Sequence, residues 1–444
     1  MMRLTLGLYL TAHAAWLCLT PGLCAAAWTE TAKLVGEGTP AGSWAGGGPN
    51  SVGISGSTVI VGAAQPNRVG PGEAYIFQDD GLGWMQTAKL TAPDGAVNQY
   101  FGRAVAIDGN IAVATATQAK SGDVTTGAAY VFEFTGAVWQ QIAKLTADDG
   151  ALGDLFGSDV AISGSTIIVG ADHDEDQGHF TGAAYIFQDL GSGWTQTAKL
   201  TASDQAAFDG FGYSVDVQGS TALVGAVDEG GRAGAVYVYE DSGNGWQEVD
   251  KWSANDPVGT TGGFGGSLAL DGDRAVVGAF RDGEHGAGSG AAYIFDKSGG
   301  TWGETAKLIA GDTAAGDQFG VSVALWQDLL VVGAFQNDGA SLNSGAAYLF
   351  EFDGAAWREL DKLTVAPGEA DDLFGYSVAV DGANVVATVL GDDEVAEKAG
   401  AAFVFRPVPE PAANQLIIGV LTALWCRRRG HGHSRSASAC RSPR

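Results

Sequence analysis

Three aspartates, Asp172, Asp174 and Asp176, alternate through one short stretch, VGADHDEDQGHF. Alternating carboxylates place hard oxygen ligands at the spacing that calcium loops use, so calcium is the cofactor these residues suggest. The match to an EF-hand loop is partial: Gly178 falls one place late and no glutamate closes the loop. Asp154, Asp209, Asp317 and Asp372 each stand two residues before a phenylalanine. They are either members of a shared cation site or ordinary turn aspartates in solvent. His173 and His179, beside Asp172 and Asp174, form a transition-metal candidate whose spacing matches no common site. Catalytic signatures are otherwise sparse. There is no Gly-x-Ser-x-Gly, zinc-protease or phosphate-loop motif, and no carboxylate pair stands out for glycoside cleavage.

The elements that must position these residues repeat. Tryptophans at 28, 84, 139, 194, 246, 302 and 357 open seven related segments. A long fixed period marks a repeat architecture. Each copy holds four short apolar runs, such as IAKL, SDVAIS, TIIVGA and GAAYIF, separated by Gly, Asp and Ser. Such runs are strands joined by turns. Tight turns at Ser163-Gly164-Ser165 and Asp108-Gly109-Asn110 favour antiparallel hairpins over a β-solenoid. The fold class is therefore all-β, a seven-bladed β-propeller with four antiparallel strands per blade. In this phase the chain starts with a fourth strand, Trp28 to Val35, and ends with a third, Gly400 to Phe405. The N-terminal strand then closes the ring and removes free sheet edges. Long second-to-third loops, like Asp172 to Thr181, and inter-blade connections, like Thr146 to Leu155, share the face expected to carry recognition.

Phe-Gly recurs at 101, 156, 211, 264, 319 and 374, and Val-Gly-Ala at 61, 169, 224, 277 and 332. Gly-Ala-x-Tyr ends at Tyr130, Tyr185, Tyr237, Tyr293 and Tyr348. Glycine after Phe is expected to let the inner strands crowd the central axis, with Phe and Tyr filling the wedge between blades. Across residues 28–405 the pattern resembles the FG-GAP repeats of integrin α-subunit propellers and of many bacterial surface proteins. That family carries a calcium loop between its first two strands. Here the turn is as short as Ser55-Gly56-Ser57, too small to wrap an ion needing about six to eight oxygens, so those ligands do not transfer.

Residues 1–27 read as a secretory signal peptide, with Arg3, an apolar run and Ala25-Ala26-Ala27 at the exit. After the repeat body, Pro409-Glu410-Pro411, an apolar span to Cys426 and Arg427-Arg428-Arg429 resemble a PEP-CTERM sorting signal over 406–429. That resemblance implies a Gram-negative host, an exosortase-type sorting partner and only transient contact with the membrane through the span. Residues 430–444 form a basic tail, expected to be disordered.

The chain carries 51 acidic against 24 basic residues, and Glu410 is the one acid outside 28–405. Nucleic acid and anionic membrane are poor partners for such a body. The four cysteines, at 18, 24, 426 and 440, all lie outside it, so export is not used to staple the fold with disulfides. These features suggest a secreted or cell-surface, non-catalytic binding or adhesion scaffold with a protein or polysaccharide ligand. A polysaccharide hydrolase or lyase working from the loop face, and a purely structural matrix protein, are the alternatives.

Overall fold

Seven four-stranded antiparallel sheets follow one another along the chain in a computed structural model that describes residues 27–38, 50–64, 70–255, 262–393 and 399–408. The first blade runs outward through Val52–Ser55, Thr58–Ala63, Glu73–Asp79 and Trp84–Leu90. The innermost strands of the next five are Val105–Asp108, Val160–Ser163, Phe211–Gln218, Phe264–Asp271 and Val323–Trp326. Blade seven comprises Val378–Asp381, Asn384–Val389, Ala401–Pro407 and, outermost, Trp28–Leu34. The fold is the expected seven-bladed propeller, and the N-terminal strand closes it. Thr31 Oγ1 donates to the Val404 carbonyl at 3.1 Å. Leu34 packs with Val52, Val59, Val386 and Val404, which joins the last blade to the first.

Burial explains the strand sequences. Second and third strands such as TIIVGA and the start of AAYIFQD are buried on both faces, because each blade is sandwiched between two others. They accordingly read as continuous apolar runs. Outer strands such as WTQTAKL alternate, with one face turned to solvent. The Phe of each Phe-Gly pair is buried and meets its blade's third strand edge-on, as Phe156 meets Phe187 with ring centroids 5.9 Å apart.

The glycines work differently from the expectation that they crowd the axis. A Cβ on Gly170 would lie 2.0 Å from the carbonyl oxygen of Gly212, and a Cβ on Gly212 would lie 2.2 Å from that of Ala183. The crowding is between blades: the Val-Gly-Ala glycine of one and the Phe-Gly glycine of the next pass backbone to backbone.

A second set of joints rings the short-turn face. The last side chain of each innermost strand accepts an N–H from the next blade's turn. Gly109 N donates to Ser55 Oγ (3.0 Å), Gly164 N to Asp108 Oδ2 (2.7 Å), Gly219 N to Ser163 Oγ (3.4 Å) and Gln327 N to Asp271 Oδ2 (2.6 Å). Gly272 N donates to Gln218, and Gly56 N to Asp381, across the ring closure. Trp326 is the exception, having no oxygen to offer. Residues 1–26 and 409–444 lie outside the described residues, and with them the segment read as a signal peptide, nearly all of the one that resembles a sorting signal, and the basic tail.

Candidate functional site

On the long-loop face each blade presents the lysine of its Ala-Lys-Leu outer strand, or of a variant of it, over an aromatic ring. The Lys199 ammonium lies 5.3 Å from the Tyr185 ring centroid and the Lys251 ammonium 5.0 Å from that of Tyr237. Each lysine is met by carboxylates. Lys199 Nζ lies 2.7 Å from Asp149, 3.0 Å from Asp174 and 2.7 Å from Asp176. The Tyr185 hydroxyl donates to Asp174 at 2.8 Å, with an oxygen of Asp149 also within 3.0 Å of it. Equivalent sets join Lys144 and Tyr130 to Asp94, Lys251 and Tyr237 to Asp204, and Lys362 and Tyr348 to Asp312.

The three aspartates of the sequence motif therefore do not form one set. Asp174 is buried and Asp176 exposed, and both share Lys199, whose ammonium supplies the positive charge there. Asp172 stands apart. Its Oδ2 is 4.0 Å from His173 Nε2, and its Oδ1 is buried without a hydrogen-bond partner. Burial raises its pKa against the opposing charges of His173 and Arg103. His179 Nδ1 lies 3.2 Å from Glu175 Oε1, and His173 packs against Phe180. Among the described residues, no group of three or more His, Cys, Asp and Glu is arranged to hold a metal ion.

Asp154, Asp209, Asp317 and Asp372 are turn braces. Each accepts the N–H three residues back, from Ala151, Ala206, Ala314 and Glu369, at 2.5 to 2.8 Å. Asp154, Asp209 and Asp317 are buried, which corrects the reading of these three as solvated, and burial raises the pKa of all four. For Asp94, Asp149 and Asp312, burial pushes upward too, but hydrogen bonds from the lysine and tyrosine outweigh it and the net shift is down. For Asp204 the Lys251 hydrogen bond leads, and the shift is again down.

All seven innermost strands line an axial channel of ≈ 520 Å³ that opens on the short-turn face. Besides the terminal Asp108, Asp271 and Asp381, carboxylates stand at Asp216 within its strand and at Asp159 just before its own. Asp159 replaces the serine found at Ser214, Ser267, Ser322 and Ser377, and Asp216 replaces the Gly or Ala found at Gly53, Ala106, Ala161, Ala269, Ala324 and Ala379. Asp159 Oδ2 accepts the Val215 N–H at 2.8 Å. Burial pushes the Asp159 carboxyl up to about 6 and that of Asp216 up to about 7.

Sequence reasoning missed the lysine hubs, although Ala-Lys-Leu-Thr-Ala-x-Asp recurs and could have pointed to them. The exposed rings of Phe180 and Phe208 were missed as well. Their neighbours at aligned loop positions are Gly, Asn or Asp for the most part, and an aromatic among turn formers is the one available signal.

Fold and loop-face geometry together define a closed, repeat-built β-propeller of the kind that displays loops from a rigid ring. The FG-GAP repeat model matches residues 84–132, 139–187, 194–239, 246–295, 302–350 and 357–405, and the chain belongs to that family. Each match starts at a tryptophan of an outer strand and ends in the next blade's third strand, so the sequence unit is offset by one strand from the blade. A similar solved structure is the crystal structure of a functionally unknown protein from Desulfotomaculum acetoxidans DSM 771. It has a TM-score of 0.43 and 12% identity, and the match covers 71% of this chain and 83% of that one. No curated protein matches the chain.

Proposed function

We propose that this protein is an exported, surface- or matrix-associated binding or adhesion scaffold that engages a protein or polysaccharide ligand through its long-loop face. The observation that carries this reading is a contrast between a locked frame and apolar loop tips. The frame is joined blade to blade by glycine contacts, side-chain clasps and lysine hubs. The loops nonetheless hold out large apolar side chains: Val97 is 54% exposed, Leu152 77%, Phe208 59% and Leu342 63% on the long-loop face. Leu82 at 95% and Leu190 at 74% stand in turns of the other face, but only the long loops are long enough to shape a site around them. Apolar groups held out on a rigid scaffold favour recognition.

Export rests on the signal-like segment 1–27. Delivery to a Gram-negative surface, with release of the apolar span by an exosortase-type partner, rests on the resemblance at 406–429. Among the described residues no helix is long and apolar enough to cross a membrane, which leaves strand-built spanning untouched. The test is a glycan and protein array probed with purified protein, with reducing-end release assayed in parallel. Binding without release supports the scaffold, whereas release of reducing ends replaces it with the hydrolase or lyase. Mass spectra of surface-associated protein showing Arg427 to Arg444 intact would remove the sorting step.

A further inference from the structure

At the boundary of blades three and four, four rings gather on the long-loop face. Phe180 and Phe208 lie 5.8 Å apart edge to face, His173 lies 4.5 Å from Phe180, and His179 stacks beside Phe208 at 6.4 Å. Both phenylalanines are exposed.

Their backbones are unusual. Phe180 has φ 50 and Phe208 φ 71, in the left-handed region that bulky residues avoid. At the position of Phe208 other blades place Asn98, Gly153, Gly316 and Asp371, and at the position of Phe180 blades five and six place Gly288 and Asn343, all at positive φ. At the position of Phe208 the other blades described there use residues suited to the conformation; at that of Phe180 blade four also carries a bulky residue, Arg232 at φ 84, so the pair is set apart by aromatic character and exposure. Positive φ also recurs as a feature of the repeat, at Tyr100, Leu155, Gln318 and Leu373 just before Phe-Gly. It is therefore the placing of exposed phenylalanines in this backbone that needs a reason, and a core role does not give one because both rings face solvent. The two loops are also fixed to each other. Phe208 N donates to the His179 carbonyl at 2.9 Å, Gly210 N to that of Phe180 at 3.2 Å, and Phe211 N to that of Thr181 at 3.1 Å.

We propose that Phe180, Phe208, His173 and His179 form a preorganised stacking platform for a pyranose ring of a neutral polysaccharide. This rests on the binding-scaffold reading and gives that face its ligand class. Aromatic faces carry negative charge density that attracts the weakly positive C–H face of a sugar. Glu175, exposed beside His179, is a ready acceptor for sugar hydroxyls. Size and charge favour this occupant. Four side chains fall well short of the roughly 800 Å² per partner that a stable protein interface buries. The acidic chain, at net charge -27, disfavours anionic glycans and nucleic acid. A basic peptide would be drawn to acidic loops all around the ring and has no need of two strained phenylalanines.

The test is affinity electrophoresis of the purified protein in gels containing dextran, mannan or galactomannan, with polylysine binding as the rival measurement. At least one polysaccharide is expected to retard the protein. Phe208→Asn and Phe180→Asn should each weaken that retardation about tenfold or more, while Met85→Gln, on the exposed outer strand of blade one, changes it by less than about twofold. Asparagine is the residue used at both positions by other blades, so a melting temperature no lower than wild type shows that lost binding is not lost folding. Retardation that survives both substitutions overturns the platform but leaves a binding scaffold. Failure of all three polysaccharides, or retention on polylysine alone, overturns the ligand class. Release of reducing ends during the assay would instead overturn the scaffold reading on which the platform rests.

Discussion

Asp216 of the fourth blade accepts the Leu270 N–H of the fifth through Oδ2 at 2.7 Å, and its other oxygen accepts the Val217 N–H, also at 2.7 Å. Asp159 makes the same pair of contacts one blade earlier, to Val160 and Val215. Two consecutive blades thus use carboxylates to satisfy the inner strand edge of the blade that follows. At the sixth-to-seventh and closing joints neutral groups serve: Ser322 Oγ accepts from Val378 N and Ser377 Oγ from Ser51 N, both at 3.1 Å.

These staples make stability depend on pH. The folded-state pKa values of about 6 for Asp159 and about 7 for Asp216 lie above the ordinary aspartate value of 3.8, so the folded chain holds more protons than the unfolded one between those limits. Stability contributed by these groups is present in full at low pH and lost as pH rises through 6 and 7, each pKa unit corresponding to about 1.4 kcal/mol. Asp94, Asp149, Asp204 and Asp312 act in the opposite sense. Their lowered values give stability that is present above 3.8 and lost below it. Urea unfolding should therefore give greater stability at about pH 5 than at about pH 8, and Asp216→Asn should flatten the difference. A midpoint that rises from pH 5 to 8 would contradict this account.

Deleting Trp28–Leu34 should destabilise the entire ring. Blade seven would lose its outer strand, Leu34 would leave a core it shares with blade one, and the edge of Ala401–Pro407 would be free to pair with other molecules. Burial of Leu34 alone accounts for about 2 kcal/mol. Thermal melting and light scattering check this, and an unchanged melting temperature in a monomeric product would reject closure by this strand.

Blade count, strand order and closure were legible because spaced tryptophans and four apolar runs per copy express strand periodicity directly. The joints between blades were not. Asp94 and Lys144 stand 50 residues apart and meet only because each inter-blade loop folds back on the following blade. The Ser55, Asp108 and Asp271 clasps looked like simple hairpin turns, since nothing in one turn shows that its side chain serves the next. Asp172, Asp174 and Asp176 alternate as metal ligands do, but local spacing carries no sign of a lysine arriving from an outer strand. Phe180 and Phe208 were hidden for another reason: residue preference argues against the backbone they adopt.

Relief of that backbone should be measurable. Replacing Phe208 by glycine removes a strained positive-φ conformation from an exposed side chain, and stability should rise by about 1 kcal/mol, less the smaller cost of a freer unfolded chain. Phe211→Ala, three residues on, removes a fully buried ring and should cost about 3 to 5 kcal/mol. The two melts together separate a residue kept for binding from one kept for packing, and a loss on Phe208→Gly comparable to that on Phe211→Ala would place both in the core.

A calcium ion at Asp174 and Asp176 would have to compete with Lys199 for the same carboxylates. Lys199 is flanked by Asp149, Asp174 and Asp176, and its own pKa is raised because hydrogen bonds to the three outweigh the effect of its burial. A divalent ion at Asp174 and Asp176 must displace this ammonium, and an ion that binds only the folded state stabilises it in proportion to RT ln(1 + [L]/Kd). In wild-type protein, calcium and magnesium at constant ionic strength should therefore give equal, small shifts in melting temperature. Lys199→Ala leaves Asp174 buried without its cation and should cost about 3 kcal/mol or more in chelator. Calcium should restore a large part of that loss and magnesium much less, because calcium tolerates the irregular oxygen sets that three loop carboxylates can offer. A calcium-specific gain in the wild type that persists in Asp174→Ala would move the cation site to other loops. Absence of rescue in Lys199→Ala would show that the hub is built for an ammonium alone.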